Sequence, residues 1–162
     1  MDEEALEVLI GKALRQRGWR LATAESCTGG LLGHLLTNVP GSSTYYVGGI
    51  VSYAYDAKVR LLGVSWETLE GHGAVSQEVV LEMAGGVRQV MGADVGLSVS
   101  GIAGPGGGTP EKPVGLTWMG LSAPDGEWAR QMMAQGERAE NKQQAARQAL
   151  QMLHDYLRGK LS

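Results

Sequence analysis

The stretch WRLATAESCTGGLLGHLLTNVP, residues 19–40, decides the fold. Its spacing predicts a short strand over residues 19–25, a turn of small residues, and a helix from near Thr28 that ends before Pro40. Such a turn aims backbone N–H groups and the positive end of a helix dipole at whatever binds there. A strand that enters a helix in this way is typical of α/β proteins, and ligands of such sheets collect at the carboxyl ends of the strands.

Helices and strands alternate on both sides of this stretch. Helical spacing precedes it over residues 2–18 and recurs at 56–63, 76–92 and 137–160, while residues 65–73 predict a further turn that Ser65 or Thr68 can cap. Residues 45–54 predict a strand, which we expect to be central, and residues 93–104 predict an apolar strand. Two apolar runs around the turn at 124–126 predict a hairpin. The pattern therefore predicts a mixed sheet with helices on both faces.

Composition limits the class of protein. A chain of 162 residues is the usual size of one domain, so we expect a single unit over residues 1–162. The net charge of −3 and the scattered Lys and Arg residues argue against binding of nucleic acid. Cys27 is the only cysteine, no apolar run reaches the length of a membrane span, and the acidic start does not resemble a signal peptide. We therefore expect a cytoplasmic protein with no membrane partner.

Three candidate nucleophiles, Ser26, Cys27 and Thr28, stand side by side in the turn. By intrinsic reactivity Cys27 is the better nucleophile, because a thiol is partly ionised near neutral pH and a serine hydroxyl is not. In the alternative interpretation all three are structural: Ser26 and Thr28 cap the helix, and Cys27 is a small buried hydrophobic residue. The turn alone does not decide between these interpretations.

Two further loops carry candidate chemistry. Lys58 follows the predicted strand at 45–54, where a lysine beside an apolar pocket can act as the base for a serine; otherwise it is a solvated partner of Asp56. The loop over residues 101–113 is rich in glycine, which lets backbone approach a ligand closely. It matches neither a dinucleotide fingerprint nor a P-loop. His34, His72 and His154 are far apart in sequence and form no metal-binding motif, so we expect no metal.

Six segments in register resemble one family. They are AESCTGG, VPGSS, VSYAYDAKVRLLGV, ETLEGHGAVS, SVSGIAGPGGGTPEKPVG and, more weakly, GERAENK. Over residues 5–155 the chain resembles the CinA-like C-terminal domain, whose known activity is that of a nicotinamide-nucleotide amidohydrolase. The resemblance implies a three-layer α/β/α sandwich around a mixed, mostly parallel sheet. It also implies deamidation of nicotinamide mononucleotide to nicotinic acid mononucleotide and ammonia, in NAD salvage, with no cofactor or metal.

The resemblance assigns roles to residues of this chain. It selects Ser26 as the nucleophile, Lys58 as its base, and Tyr53 as a residue that orients or relays the proton. An oxyanion needs N–H donors, which either the turn from Cys27 to Gly30 or the loop from Gly101 to Gly104 can supply. The expected substrate-binding residues are Cys27, Thr28, Gly29, Gly30, Ser42, Ser43, Gly101, Ile102, Ala103, Gly104, Thr109 and Arg138, with the phosphate expected at Ser42, Ser43, the glycine loop, Thr109 or Arg138.

The chain departs from the family pattern at three positions. Tyr55 stands where relatives commonly have Asn, Glu137 replaces the usual Asp, and Lys142 replaces an Arg, which removes a bidentate contact. None of these positions is Ser26, Tyr53 or Lys58, so we expect activity with altered affinity. Some relatives carry a preceding pyrophosphatase domain, and we expect that activity to be absent here.

Three other interpretations remain open at this stage. One is a regulatory protein that binds a nucleotide without cutting it, and another is a hydrolase of a different small amide. A role in DNA repair, suggested by the family's competence-related name, gains no support from the acidic composition. Apolar strands and the Met-rich hairpin, with Met119, Met132 and Met133, favour a homo-oligomer.

Overall fold

The computed structural model describes residues 3–161, and within them the chain forms five strands and six α-helices. The predicted order of elements is confirmed. The elements are α1 (Leu6–Arg17), β1 (Leu21–Glu25), α2 (Leu31–Thr37), a 3₁₀ turn (Ser42–Thr44), β2 (Tyr46–Val51), α3 (Tyr55–Leu62), α4 (Trp66–His72), α5 (Gln77–Met91), β3 (Val95–Gly101), β4 (Leu116–Ala123), β5 (Gly126–Met133) and α6 (Arg138–Leu157).

All five strands join one sheet in the order β2-β1-β3-β4-β5. β1 pairs in parallel with both β2 and β3, whereas β4 pairs antiparallel with β3 and with β5. Only β4 therefore runs against the other strands, and the expectation of a mixed, mostly parallel sheet is confirmed. The expectation of a central strand at residues 45–54 is wrong, because β2 lies at the edge. None of its six residues is fully buried, whereas every residue of the inner strand β1 is.

Helices cover both faces of the sheet, as the three-layer sandwich requires. Helices α1, α2 and α6 lie over one face, where a core that includes Ile10, Leu97 and Leu153 is fully buried. Helices α3, α4 and α5 lie over the other face, around a second core that includes Val80 and Met83. Two buried apolar faces on a single sheet explain why the helices fall into two layers.

The helix starts show how well local signals predict boundaries. Ser65 and Ser76 cap α4 and α5, with the Ser65 hydroxyl accepting from the N–H of Glu67 and of Thr68, so the cap predicted at Ser65 is confirmed. The predicted start of α2 near Thr28 is wrong. The helix begins at Leu31, after Gly30 with a backbone φ of 107°, a left-handed conformation that glycine adopts readily.

Strands β1, β2 and β3 run in one direction, so their carboxyl ends meet at one edge of the sheet. The turn into α2, the connection from β2 to α3, and the glycine-rich loop after β3 all leave from this edge. The fold therefore brings together the three loops that sequence analysis had singled out. Among residues 3–161, none of the helices combines the length and the apolar character that a membrane crossing requires.

Candidate active site

Ser26 is the first residue after β1 and begins the turn that leads to α2. Its own N–H donates to the carbonyl oxygen of Val99 on β3 at 3.0 Å, which extends the parallel ladder by one residue and fixes the start of the turn. The Gly29 N–H then closes the turn on the Ser26 carbonyl at 3.1 Å. Only 8% of Ser26 is exposed. These two bonds fix the backbone of Ser26 at the end of the strand.

Lys58 approaches that hydroxyl from α3 and is completely buried. Its Nζ lies 2.9 Å from Ser26 Oγ, 2.5 Å from the carbonyl oxygen of Ser52 and 3.2 Å from the carbonyl oxygen of Tyr53. The two carbonyl groups can only accept, so they take two of the amine hydrogens. The remaining position on the nitrogen points at Ser26. It holds a third hydrogen in the ammonium form and the lone pair in the neutral amine.

Burial shifts the proton affinity of this amine. Because the charged form loses its hydration, the pKa of Lys58 is lowered from 10.5 to about 8. A charged Cys27 thiolate nearby would act in the opposite direction, but it is the smaller influence. At a pKa of about 8 a substantial fraction of Lys58 is neutral near physiological pH, and a neutral amine can accept a proton from a serine.

A cavity of about 250 Å³ opens over these two side chains. Its lining carries two cationic groups, Lys58 and Arg138, and no carboxylate, so the cavity favours a ligand that bears negative charge. The lining residues are Ser26, Cys27, Tyr53, Lys58, Ala74, Val75, Ser100, Gly101, Ile102, Ala103, Gly104, Gly106, Gly107 and Arg138. Nine of the predicted site residues, from all three loops and the start of α6, are thus brought together.

Arg138 lies across the mouth of the cavity, at the first turn of α6. Its guanidinium donates to the Gly104 carbonyl at 2.6 Å and to the Tyr53 hydroxyl at 3.1 Å. Both partners are neutral, and no carboxylate among residues 3–161 forms an ion pair with Arg138. The Tyr53 side chain, 62% exposed, contacts Arg138 rather than Ser26; its link to Lys58 runs through the backbone carbonyl. A direct proton relay by the Tyr53 hydroxyl is therefore absent from this arrangement.

Glu25, which sequence analysis did not single out, organises the turn that holds Ser26. It is 2% exposed, and its Oε1 accepts from the Thr28 hydroxyl at 2.6 Å and from the N–H groups of Gly30 and Leu32, at 3.2 and 2.8 Å. Its Oε2 accepts from the Gly33 N–H at 3.1 Å. The free N–H groups at the start of α2 are therefore used within the protein, and they do not face a ligand.

This arrangement changes the expectation for the turn. Thr28 is buried and donates its hydroxyl to Glu25, so it neither caps α2 nor reaches the cavity. Gly30 gives its N–H to the same carboxylate, and Gly29 lies outside the cavity near the Lys142 amine. Cys27 does line the cavity, but burial raises the pKa of its thiol to about 11, which keeps it protonated at neutral pH. Cys27 is therefore the weaker of the two candidate nucleophiles that line the cavity, and Ser26 is the stronger one.

Three predicted phosphate ligands lie away from the cavity. Ser42 and Ser43 belong to the 3₁₀ turn that precedes β2, and so they lie at the amino end of the strands, opposite Ser26. Thr109 is exposed in the distal part of the glycine-rich loop, where its hydroxyl accepts from the Lys112 N–H at 3.0 Å. Of the predicted phosphate ligands, Arg138 and the proximal part of this loop are the ones that line the cavity.

Besides Glu25, sequence reasoning missed two buried polar residues at the site. Ser100 lines the cavity at the end of β3 with 1% exposure. Asn141, 3% exposed on α6, donates to the Ala103 carbonyl at 2.9 Å and so ties the glycine-rich loop to the helix. Ser100 had a readable signal, because a polar residue at the carboxyl end of an apolar strand is unusual. Asn141 lies in the weakly matching segment GERAENK, but an Asn within a polar helical stretch looks solvated, and so it was not singled out.

The structure shows where the three residues that depart from the family pattern lie. The Tyr55 hydroxyl accepts from the N–H of Ala74, a lining residue, at 3.3 Å, and the Tyr55 ring packs against Trp66. Glu137 is the N-cap residue of α6, and its N–H donates to the Glu140 carboxylate at 3.3 Å. Lys142 lies near Gly29. Residues 3–161 contain no group of three His, Cys, Asp or Glu side chains placed to hold a metal ion.

Comparison with known proteins gives a consistent result. A family model described as the CinA C-terminal domain matches residues 3–157. A CinA-like protein of Desulfotalea psychrophila is 46% identical over 156 residues, which is 96% of this chain and 38% of that protein. The chain thus spans about two fifths of the length of the curated relatives it matches.

Solved structures show the same fold. The crystal structure of the competence damage-inducible protein A (ComA) from Klebsiella pneumoniae superposes with a TM-score of 0.91 at 38% identity, over 94% of this chain and 95% of that one. The competence/damage inducible protein CihA from Agrobacterium tumefaciens gives a TM-score of 0.88 at 39% identity, over 98% and 99% of the two chains.

Proposed function

The chain belongs to the CinA C-terminal domain family, and on that premise we propose that it hydrolyses the carboxamide of nicotinamide mononucleotide. The products are nicotinic acid mononucleotide and ammonia. The observation that carries the proposal is the contact of 2.9 Å between the buried Lys58 amine and Ser26 Oγ, at the floor of a cavity without carboxylates. A serine paired with a buried amine is suited to acyl transfer from an amide.

The first step is activation of the nucleophile. Neutral Lys58 accepts the proton of the Ser26 hydroxyl through the one position that the Ser52 and Tyr53 carbonyls leave open. As the proton moves to Nζ, Ser26 Oγ forms a bond to the carboxamide carbon. The new ammonium then donates all its hydrogens, to Oγ and to the two carbonyl oxygens. The backbone thus compensates the charge that burial penalises.

The negative oxygen of the tetrahedral intermediate needs donors that are not already used. Helix α2 does not supply them, because Glu25 accepts from its first N–H groups. The glycine-rich loop is the better source. Ala103 and Gly104 line the cavity, and no hydrogen bond from their N–H groups is found among residues 3–161. We therefore place the oxyanion at these two N–H groups, with the Cys27 N–H, which also donates no hydrogen bond among residues 3–161, as the alternative donor from the turn.

The phosphate of the substrate needs a cation, and Arg138 is the exposed one in the lining. Its present partners, a carbonyl and a phenol hydroxyl, are neutral acceptors that a phosphate outcompetes through charge-assisted hydrogen bonds. Lys142, one helical turn further along α6, adds positive charge on the same side near Gly29. Tyr53 then has the role of holding Arg138, in place of the relay expected from sequence.

The remaining expectations concern the cofactor, the partners, the location and the oligomeric state. Nothing in the proposed reaction requires a cofactor, and we propose that the protein acts on its small-molecule substrate in the cytoplasm, without a nucleic-acid or membrane partner. The homo-oligomer and the single unit over residues 1–162 stay predictions; Met1, Asp2 and Ser162 lie outside the described residues.

The test is production of ammonia and nicotinic acid mononucleotide from nicotinamide mononucleotide by the purified chain. Ser26→Ala and Lys58→Met are compared with the natural protein, and circular dichroism checks that each is folded. We expect the natural chain alone to release both products in equal amounts. Binding of the nucleotide without turnover by the natural chain would instead indicate a nucleotide-binding protein, and release from other amides only would indicate a different substrate.

A further inference from the structure

Ser100 is a buried hydroxyl in the cavity that the reaction described above does not use. It stands on β3 directly before Gly101, is 1% exposed, and lines the same cavity as Ser26 and Lys58. No hydrogen bond of its hydroxyl is found within residues 3–161, and its oxygen is not one of the fully enclosed polar atoms without a partner, which fits a hydroxyl that is open to the cavity. Ser98, two residues earlier on the same strand, is also buried, but its hydroxyl donates to the Val80 carbonyl at 2.6 Å. The hydroxyl of Ser100 is thus left for a molecule in the cavity.

The strand register places Ser100 beside Ser26. Glu25 pairs with Val99, and the Ser26 N–H donates to the Val99 carbonyl. The residues that follow this pair on the two strands, Ser26 and Ser100, are therefore neighbours. Adjacent strands lie about 4.8 Å apart, and alternate residues share one face. Ser100 lies on the same face as Ser98, which contacts α5, and Ser26 reaches Lys58 on that side of the sheet. Two hydroxyls and one amine therefore converge on the same end of the cavity.

Hydrolysis of an amide requires a proton at the leaving nitrogen, and Lys58 alone is poorly placed to deliver it. Its three hydrogen positions are directed at Ser26 Oγ and at the carbonyls of Ser52 and Tyr53. Once Ser26 Oγ is bonded to the substrate carbon, the leaving nitrogen lies beyond that oxygen. A second hydroxyl next to Ser26 bridges this gap.

We propose that Ser100 is a further catalytic residue, which protonates the leaving nitrogen; this role rests on the proposed function. When the tetrahedral intermediate collapses, the carbon–nitrogen bond breaks and its electron pair stays on nitrogen. The nitrogen takes the proton of the Ser100 hydroxyl. Ser100 Oγ in turn takes the extra proton of the Lys58 ammonium, which is the one that faced Ser26 Oγ before that oxygen bonded to the substrate. Ammonia leaves, Lys58 is neutral again, and Ser100 is unchanged. The acyl group remains on Ser26 for hydrolysis by water.

The test compares Ser100→Ala with the matched control Ser98→Ala, which removes a buried hydroxyl from the same strand and face but outside the cavity. Each variant is assayed on nicotinamide mononucleotide and on the methyl ester of nicotinic acid mononucleotide. An ester leaving group depends less on prior protonation than an amide nitrogen does. We expect Ser100→Ala to lower kcat for the amide by about 10² to 10⁴ while ester hydrolysis falls less than about tenfold. Ser98→Ala should change both rates alike.

Two outcomes would overturn the role of Ser100. One is an Ser100→Ala variant that keeps amide kcat within a few-fold of the natural chain, and the other is an equal loss on amide and ester, which indicates general distortion. Thermal unfolding of both variants separates distortion from chemistry. If the proposed function itself is wrong, the result is different: the natural chain and Ser98→Ala then both release no ammonia from the nucleotide.

Discussion

Lys58 is a buried amine whose two carbonyl partners leave one position for proton exchange, on the side of Ser26. Two backbone carbonyls occupy its other hydrogens, at 2.5 and 3.2 Å, so the base is oriented by main chain that no side-chain substitution removes. Sequence reasoning could propose the Ser26 and Lys58 pair from family resemblance. It could not show the carbonyls, because they depend on how the chain turns between β2 and α3.

The pH dependence of kcat/KM follows from this residue. Because only neutral Lys58 can accept the Ser26 proton, and burial lowers the pKa of Lys58 to about 8, kcat/KM should rise with pH and level off above an inflection near 8. Below the inflection the ammonium donates to Ser26 Oγ and the base is absent. A pH series of initial rates measures this, with Lys58→Arg, which stays charged, expected to be inactive throughout. A flat profile between pH 6 and 9 would contradict the assignment.

Cys27 provides the complementary prediction. Burial raises the pKa of its thiol to about 11, so the thiolate needed for attack is almost absent at neutral pH. We expect Cys27→Ala to retain kcat within about fivefold and the natural chain to react slowly with iodoacetamide at pH 7.5. Mass spectrometry follows the alkylation. A loss comparable to that of Ser26→Ala would transfer the nucleophile to Cys27.

At the scale of an element, the start of α2 differs from what its sequence predicts. Its start predicts an anion-binding site, since exposed N–H groups at a helix N-terminus favour negative charge. The anion is supplied from within, by Glu25 at the end of β1, and we therefore propose the glycine-rich loop as the ligand site. The sequence shows Glu25 next to Ser26. It does not show that the carboxylate turns back onto α2, because that depends on the left-handed conformation of Gly29 and Gly30.

Replacing Glu25 with Gln should disturb both the helix and the site. An amide supplies one acceptor oxygen where the carboxylate supplies two, so at least one buried N–H loses its partner, at a cost of about 1 to 3 kcal/mol in the free energy of unfolding. Because Glu25 directly precedes Ser26, kcat should fall as well, with a smaller change in KM. Glu67→Gln, at an exposed position in the first turn of α4, is the control and should leave both unchanged. Urea unfolding and steady-state kinetics test this; equal stability would show that the carboxylate is dispensable.

Arg138, at the start of α6, is the residue that we expect to select a phosphorylated substrate. If Arg138 binds the phosphate, Arg138→Ala should raise KM for nicotinamide mononucleotide about tenfold or more and change kcat less. The same variant should act on the riboside, which lacks the phosphate, about as the natural chain does. Arg60→Ala, on the outer side of α3, is the control. A variant that affects the two substrates equally would show that Arg138 acts by holding Tyr53 and the Gly104 loop.

At the scale of the whole molecule, the two halves of the site come from different layers. Ser100 lies on β3 and Ser26 directly follows β1, whereas Lys58 belongs to α3. The distance from Lys58 to the two serines therefore depends on how α3 packs against α5 and how α5 packs against the sheet. Hydrophobic periodicity predicts that these helices exist and which side of each is buried. It does not predict their spacing, and it did not place β2 at the edge of the sheet.

Glycines set this spacing. A Cβ at Gly96 would lie 2.1 Å from the Ala84 carbonyl oxygen, and one at Gly120 would lie 2.4 Å from the Val80 carbonyl oxygen, so α5 rests on the sheet backbone to backbone. A Cβ at Gly86 on α5 would lie 1.8 Å from the Leu62 carbonyl oxygen at the end of α3. No side chain can occupy that space unless α3 moves, since the obstacle is backbone.

Gly86→Ala should therefore act on catalysis at a distance. Moving α3 away from α5 shifts the Lys58 amine relative to Ser26, and contacts of this kind are sensitive to displacements of less than 1 Å. We expect a loss of about 1 to 3 kcal/mol in the free energy of unfolding from overpacking, together with a lower kcat. Gly71→Ala in α4 is the matched control, because a Cβ there meets nothing within 4 Å, and it should leave kcat unchanged and stability equal or higher. If Gly86→Ala loses stability but keeps full kcat, the position of Lys58 is set by its own hydrogen bonds to Ser52 and Tyr53, and the packing of α3 against α5 contributes only to stability.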